Sequence, residues 1–380
     1  MSSDGEDLDS AESVKQLVDL GLSLIEAILA CKPLADVKTI IDAGAPLWFQ
    51  DDDGWSPLHA AASTENEELI SLLISEGAPW NSVDNLGNSP GDIALSLNNE
   101  ECYTLIRDAG LRSEIILQLL ASHGDPPGLA DDTIVLKAED DTAMGSTAVF
   151  LSSRLRYTVD ENGQEICMLK SGEEEVGVMM GWEREIMQET VKNLCEDHGR
   201  KDGGLKVLNV GFGLGIIDSF FQQLLPSPSL HAIIEPHPDV LQHMRDTGWY
   251  DKPGVKIFEG KWQDVLRSEA FVSLGGFDAV YTDTFSEDYE TLHQFFKKVP
   301  SLLANTESRF SFFNGLGATN AVFYDVYTKL ADINLAEIGI ELTWEDVDVA
   351  AAQGVDRWGQ TREYFAMRLY RLPVGRLKIG

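Results

Sequence analysis

The segment Val207–Asp218 reads VLNVGFGLGIID. Its apolar run up to Val210 has the pattern of a buried strand, and glycines follow at 211, 213 and 215. Ile216 then opens a helical stretch. A strand, a glycine turn and a helix start bring the backbone close to a ligand, because glycine places no side chain in the way. The free N–H groups and positive dipole end of the helix face whatever binds there. Glu235 ends the next apolar run, His231–Glu235, 24 residues after Gly211. A carboxylate at the tip of a second strand suits the two hydroxyls of a ribose. The third glycine of the dinucleotide pattern G-x-G-x-x-G would fall at 216, where Ile216 stands, and no second mononucleotide half follows. The spacing favours S-adenosylmethionine, with a dinucleotide site and a structural turn as the other readings.

Three more strand-like runs follow, Val255–Glu259, Phe277–Thr282 and Arg309–Asn314. Helical stretches separate the strands at about Ile216–Leu225, Pro238–Thr247, Tyr289–Leu303 and Asn320–Ile333. This alternation predicts a parallel sheet with right-handed crossovers, an α/β Rossmann-like class I methyltransferase domain over residues 133–380. Ile340–Val347 and Glu363–Arg371 read as an antiparallel hairpin at one sheet edge. Ligands of open α/β sheets sit at the carboxyl ends of strands. Gly260-Lys261-Trp262-Gln263-Asp264 and Tyr281-Thr282-Asp283-Thr284 occupy such ends. Gln263 can meet adenine edges and Trp262 can wall them, although Asp264 alone could be a helix cap. Asp283 is a site candidate, or else the N-cap of the next helix.

The first third of the chain obeys a different rule. Gly44-Ala45 recurs as Gly77-Ala78 and again at Gly110, Gly54 as Gly87, and Ser56-Pro57 as Ser89-Pro90, each at an interval of 33. DGWSPLHAAA, Asp53–Ala62, carries the ankyrin signature and period. Ser56 can cap a helix whose first turn holds Pro57, where no hydrogen bond is lost. The glycines are expected to end each second helix in a left-handed conformation. His59 is read as a hydrogen-bonder between repeat loops rather than a base. A helical pair at Val14–Ala43 precedes the two clear repeats, and a pair at Glu100–Ala109 and Ser113–Ser122 closes the stack. The resulting organisation is a disordered acidic tail over 1–12, an all-α ankyrin-repeat domain over 13–123, and a linker over 124–132 containing Gly-Asp-Pro-Pro-Gly.

Composition narrows the function. The net charge is −34. Residues 1–150 hold 28 Asp and Glu against 6 Lys and Arg. Such a surface repels phosphates, which argues against direct nucleic-acid binding, and attracts basic partners. No apolar run reaches the roughly 18 residues of a membrane span. The acidic, polar start is expected to be neither a signal nor a transit peptide. Cys31, Cys102, Cys167 and Cys195 form no ligand cluster, so no metal site and a reducing compartment are expected. The cytoplasm is the expected location, with the nucleus as a second one.

The segments GVMMGWEREIM, VLNVGFGLGIID, IIEPHPDVLQHM, KWQDVL, FDAVYTDTFSEDY and RFSFFNGLGATNAVFYDVY give the chain a specific likeness. It resembles the fungal arginine N-methyltransferase type 2 family, which joins ankyrin-like repeats to a domain similar to guanidinoacetate methyltransferase. The resemblance covers essentially the whole chain. It implies methyl transfer from S-adenosylmethionine to the internal, δ nitrogen of an arginine in a protein of the large ribosomal subunit. The implied cofactor contacts are Tyr157, Met187, Gly211, Phe212, Gly213, Leu214, Gly215, Ile216, Glu235, Pro236, His237, Trp262, Gln263 and Asp283.

A guanidinium has no free lone pair on nitrogen and a pKa above about 12, so a site must orient it and remove a proton. Carboxylates do both. Glu183, in GWERE, and Asp283 are the acidic candidates on the implied substrate side, with Glu183 holding the guanidinium and Asp283 accepting the proton. Asn314 and the following glycine turn can line that side or serve as a structural turn. Two readings compete: a methyltransferase for a free guanidino compound, and a non-catalytic ankyrin adaptor. The repeats argue against the first, since they usually supply a protein-binding face. The intact glycine turn, Glu235 and Asp283 argue against the second.

Overall fold

The computed structural model describes residues 4–123, 146–161, 163–171, 174–199, 203–349, 358 and 361–378. The chain divides into two compact units. One takes the described residues up to 127 together with Leu316–Leu330; the other takes the described parts of 128–315 and 331–380. Leu316–Leu330, within the expected methyltransferase domain, pack with the first unit. Val322 and Val326 are the reason: both are fully buried in that unit's hydrophobic core. The expected linker lies outside the described residues. No helix among the described residues is long and apolar enough to cross a membrane.

The first unit is helical, with Asp4–Leu29, Leu34–Asp42, Pro57–Ser63, Glu67–Ser75, Pro90–Ser96 and Glu100–His123. Ser56 and Ser89 cap Pro57–Ser63 and Pro90–Ser96 in matching capping boxes, the arrangement implied by the recurring Ser-Pro. Gly44 and Gly77 have φ of 93° and 94° after their helices. Gly110 departs from the expectation. It lies inside Glu100–His123, so the predicted closing pair is one helix. A glycine within a helix costs only about 1 kcal/mol, and here it admits a neighbour: a Cβ on Gly110 would sit 2.8 Å from the Trp80 ring. The backbone is helical from Asp4, within the stretch expected to be a disordered tail.

His59 is fully buried. Its Nδ1 accepts from the Ser56 N–H at 3.1 Å, so Nε2 carries the proton and donates to the Asn88 carbonyl of the next repeat at 3.0 Å. His59→Ala is expected to lower stability by about 1–3 kcal/mol, because both groups lose partners in the interior. Thermal melting checks this, and an unchanged midpoint would remove the bridging role.

The second unit holds two sheets. β1 (Leu155–Val159), β2 (Glu165–Ser171) and β3 (Glu174–Met180) form an antiparallel meander. The larger sheet contains β4 (Lys206–Val210), β5 (Leu230–Glu235), β6 (Val255–Glu259), β7 (Ala279–Thr282), β8 (Arg309–Phe312), β9 (Ile340–Asp348) and β10 (Leu369–Leu377). Its order is β6-β5-β4-β7-β8-β10-β9, parallel from β6 to β8, with β10 antiparallel to both neighbours. The strand order reverses at β4, which is where open α/β sheets bind ligands.

Two element boundaries differ from expectation. The helix expected over Tyr289–Leu303 is split into Tyr289–Phe296 and Val299–Leu302, because Pro300 sits in the first turn of the second piece and cannot continue the first. The last strand lies over Leu369–Leu377 rather than Glu363–Arg371. Pro373 and Gly375 look like strand breakers, yet both pair with β9, opposite Trp344 and Leu342.

Candidate active site

Strand register assembles the site. Val210 pairs with Ile234 on one side and with Thr282 on the other. Gly211 therefore emerges between Glu235 and Asp283. Its N–H donates to the Ile234 carbonyl, and the Asp283 N–H donates to the Val210 carbonyl, both at 2.9 Å. Gly211 has φ +94°, and a Cβ there would lie 1.8 Å from the Asp283 carbonyl oxygen, so only glycine fits. Beneath the turn, Asn209 Nδ2 donates to the Gly211 carbonyl and to Asp218 Oδ2, each at 2.8 Å. The other Asp218 oxygen meets His231 Nε2 at 2.9 Å, all of it buried. This network ties strand, turn and helix together.

Glu235 is buried at the tip of β5. One oxygen accepts from the Phe212 N–H at 2.8 Å, and the other from the His237 N–H at 2.7 Å. Burial pushes its pKa up to about 7. Each oxygen keeps lone-pair capacity for a further donor, so two adjacent hydroxyls can be held. The Phe212 side chain itself is core, packed edge-on against Trp249 at 5.1 Å. Ile216 is likewise buried, while Leu214 and Pro236 are half-buried beside the turn. The His237 ring is spent on structure: Nδ1 accepts from the Asp239 N–H at the helix start, and Nε2 donates to the Phe150 carbonyl. Its backbone N–H, on Glu235, is the part that serves the site.

Glu235 pairs with Glu259 in β6, which places Trp262 and Gln263 beside it. Glu287 accepts from Trp262 Nε1 at 2.9 Å, from Gln263 Nε2 at 3.4 Å and from the Thr284 hydroxyl. Gln263 Oε1 is buried with no hydrogen-bond partner among the described residues. A buried unpaired acceptor is costly, and a ligand amino group such as that of adenine would satisfy it. The glycine turn, the Glu235 carboxylate and this acceptor together fit S-adenosylmethionine.

The three-stranded sheet covers the turn. Tyr157 on β1 donates its hydroxyl to the Gly213 carbonyl at 3.4 Å and stacks on His243 with centroids 3.9 Å apart. Met179 on β3 reaches the Leu214 N–H with its sulfur at 3.2 Å. Met187 is fully buried, and its sulfur accepts from the Tyr281 hydroxyl at 3.4 Å. Met187 is a wall behind the turn.

Glu183 and Asp283 come together from opposite directions. Glu183 ends the tight turn Gly181–Glu183 after β3 and is buried. Its Oε1 accepts from the Met180 N–H at 3.0 Å and from the Tyr364 hydroxyl. Burial, and then the Asp283 charge, push Glu183 above the usual carboxylate range, while Tyr364 and Met180 oppose the rise. Burial pushes Asp283 up as well. A buried carboxylate pair, in which the Asp283 charge raises the proton affinity of Glu183, can accept hydrogen bonds from a planar cation with several N–H donors. Asn314 is buried nearer β10, its N–H donating to the Tyr370 hydroxyl at 2.9 Å, which makes it a structural turn residue.

With this geometry in place, the likeness to known proteins becomes decisive. Residues 24–116 match the profile described as ankyrin repeats, and residues 173–331 that described as guanidinoacetate N-methyltransferase. A protein of Cryptococcus neoformans named Protein arginine N-methyltransferase 2 is 40% identical over 392 residues, covering 98% of this chain and 99% of its own. The chain belongs to the protein arginine N-methyltransferase 2 family. Relatives of the same name from Emericella nidulans and Yarrowia lipolytica are 38% and 40% identical, over 70% of this chain and 59% and 56% of theirs. Within this family member the structure adds Met179, Tyr281, Glu287 and Tyr364 to the site. The partners noted above lie 35, 94, 25 and 181 positions away in sequence; Met179, Tyr281 and Glu287 fall inside the quoted segments, but their contacts, like that of Tyr364, are set by the fold.

Glu235→Gln leaves one acceptor oxygen for two N–H donors. We expect cofactor affinity to fall by roughly 10- to 100-fold, the worth of about 1.5–3 kcal/mol for a lost bond to a charged group. Calorimetric titration with S-adenosylhomocysteine reads this, and wild-type affinity would refute it.

Proposed function

We propose that the protein is an S-adenosylmethionine-dependent methyltransferase that monomethylates the internal, δ nitrogen of an arginine in a basic protein, a component of the large ribosomal subunit. The observation that carries this is the pair Glu183 and Asp283 beside the Gly211 turn. Bound S-adenosylmethionine supplies a methyl group already activated on a sulfonium. The chain's residues must then place a guanidino nitrogen and relieve it of a proton. Glu183 holds the guanidinium through its second oxygen, and Asp283 accepts the proton. Placement in line with the methyl carries much of the acceleration.

The choice of nitrogen rests on the matched guanidinoacetate N-methyltransferase profile. The nitrogen of guanidinoacetate that bears the carbon chain corresponds to the δ nitrogen of arginine. The protein substrate is supported by the names of the relatives and by charge. Between Lys38 and Arg107 the repeats carry 12 acidic residues and no Lys or Arg, which suits a basic partner. A ribosomal substrate also fits action in the cytoplasm.

Incubating the purified protein with labelled S-adenosylmethionine, ribosomal proteins and, separately, guanidinoacetate tests the reading. Label on one basic ribosomal protein is expected. Label on guanidinoacetate alone would overturn it in favour of a small-molecule methyltransferase.

A further inference from the structure

Tyr364 takes no part in any motif that identifies the site, yet it touches the acid at its centre. Its hydroxyl donates to Glu183 Oε1, the oxygen already bonded to the Met180 N–H. The tyrosine is held by an aromatic layer: Trp358 at 4.7 Å and Trp182 at 5.8 Å between centroids. Phe365, fully buried next to it, packs on Trp182 at 5.9 Å and on Tyr370 at 5.9 Å. Gly177 on β3 lies on the other side, where a Cβ would be in ordinary contact with the Tyr364 ring at 3.7 Å. Burial and the Glu183 charge keep the phenol protonated, so it acts as a donor.

We propose that Tyr364 is a positioning residue that divides the labour of the Glu183 carboxylate. With Met180 it occupies Oε1 and so turns Oε2 toward the guanidinium. Its hydrogen bond also favours the ionised form of Glu183, against burial and the Asp283 charge. Among the described residues, the titratable groups facing this pair are the Tyr364 phenol before β10, which donates to Glu183, and the Tyr281 phenol on β7, which the two carboxylates help to keep protonated, while the Asp283 carboxylate after β7 acts on Glu183. Burial and Asp283 favour the protonated acid; the Tyr364 and Met180 hydrogen bonds favour the ionised one. Removing the phenol hydroxyl therefore raises the proton affinity of Glu183. At neutral pH a larger fraction is neutral and holds the guanidinium poorly; at higher pH that fraction ionises and binding returns.

The inference rests on the role of Glu183 proposed above, and the test separates the two. Tyr364→Phe is compared with wild type and with Glu183→Gln in full pH profiles of kcat and KM on the protein substrate, with cofactor affinity measured alongside. The expected result for Tyr364→Phe is a raised KM at neutral pH, an acid limb of kcat/KM moved upward by about one pH unit, and recovery of most of the lost rate at alkaline pH. That limb shift corresponds to about 1.4 kcal/mol on one protonation state. Affinity for S-adenosylhomocysteine should stay at the wild-type value. A uniform loss at all pH values, or an unshifted limb, would overturn the inference and reduce Tyr364 to packing. Wild-type turnover by Glu183→Gln would instead overturn the role given to Glu183 itself.

Discussion

Asp283→Asn is expected to lower kcat by about 10²–10⁴-fold, the contribution of a positioned proton acceptor, while cofactor affinity stays near wild type. The two effects separate because Asp283 acts through two different groups. Its backbone N–H bonds Val210 and its carbonyl stands over Gly211, and asparagine preserves both. Only the carboxylate is lost. The wild-type rate should rise with pH, since burial holds Asp283 above the usual carboxylate range and only the ionised form accepts a proton. The stability effect has the opposite sign. An acid whose folded pKa lies above its unfolded value costs stability once the pH exceeds the unfolded value, about 4 for Asp. The cost grows up to the folded pKa and persists above it. Asp283→Asn should therefore melt higher than wild type at pH 8 in the absence of ligands. Steady-state kinetics, calorimetric titration and thermal melting read the three effects. A variant that turns over like wild type rules out Asp283 as the proton acceptor.

Gly211→Ala should abolish measurable cofactor binding. The φ of +94° costs a side chain on the order of 1–3 kcal/mol. The added methyl would also meet the Asp283 carbonyl oxygen at 1.8 Å, so the ends of β4 and β7 must part. That opens the corner where Glu235 and Asp283 are held. Gly77→Ala is the control: Gly77 has the same φ of 94°, with no atom of the described residues within 4 Å of an added Cβ. It should lose about 1–2 kcal/mol of stability from the left-handed backbone alone, with cofactor affinity and turnover intact. Equilibrium binding of S-adenosylhomocysteine to both variants decides the matter. Normal binding by Gly211→Ala would mean that the turn does not bear on the ligand.

What could be read from the chain alone was what is local in sequence. The glycine turn, Glu235 after the second strand and Asp283 after the fourth each sit at a strand end within a short window, and the parallel register brings those ends together. The ankyrin repeats were legible because their interval of 33 fixes caps and turns at the same offsets. Gly110 misled because an interior glycine and a terminating one look alike until Trp80 is packed against it. His237 stands beside Glu235 through its backbone N–H, but its ring is directed away to Phe150, a residue 87 positions earlier. Pro373 and Gly375 shifted the last strand because their tolerance depends on the pairing of β10 with β9. Tyr364 lies in no quoted motif, and the role of Glu287, although it falls in one, comes from Trp262 and Gln263, partners supplied by the fold.

The most direct test of the account is tandem mass spectrometry of the methylated substrate protein, locating the new methyl group on its arginine. A pocket built on Glu183 and Asp283 that presents the chain-bearing nitrogen predicts a single methyl on the δ nitrogen. A methyl on a terminal nitrogen of the guanidino group would contradict it.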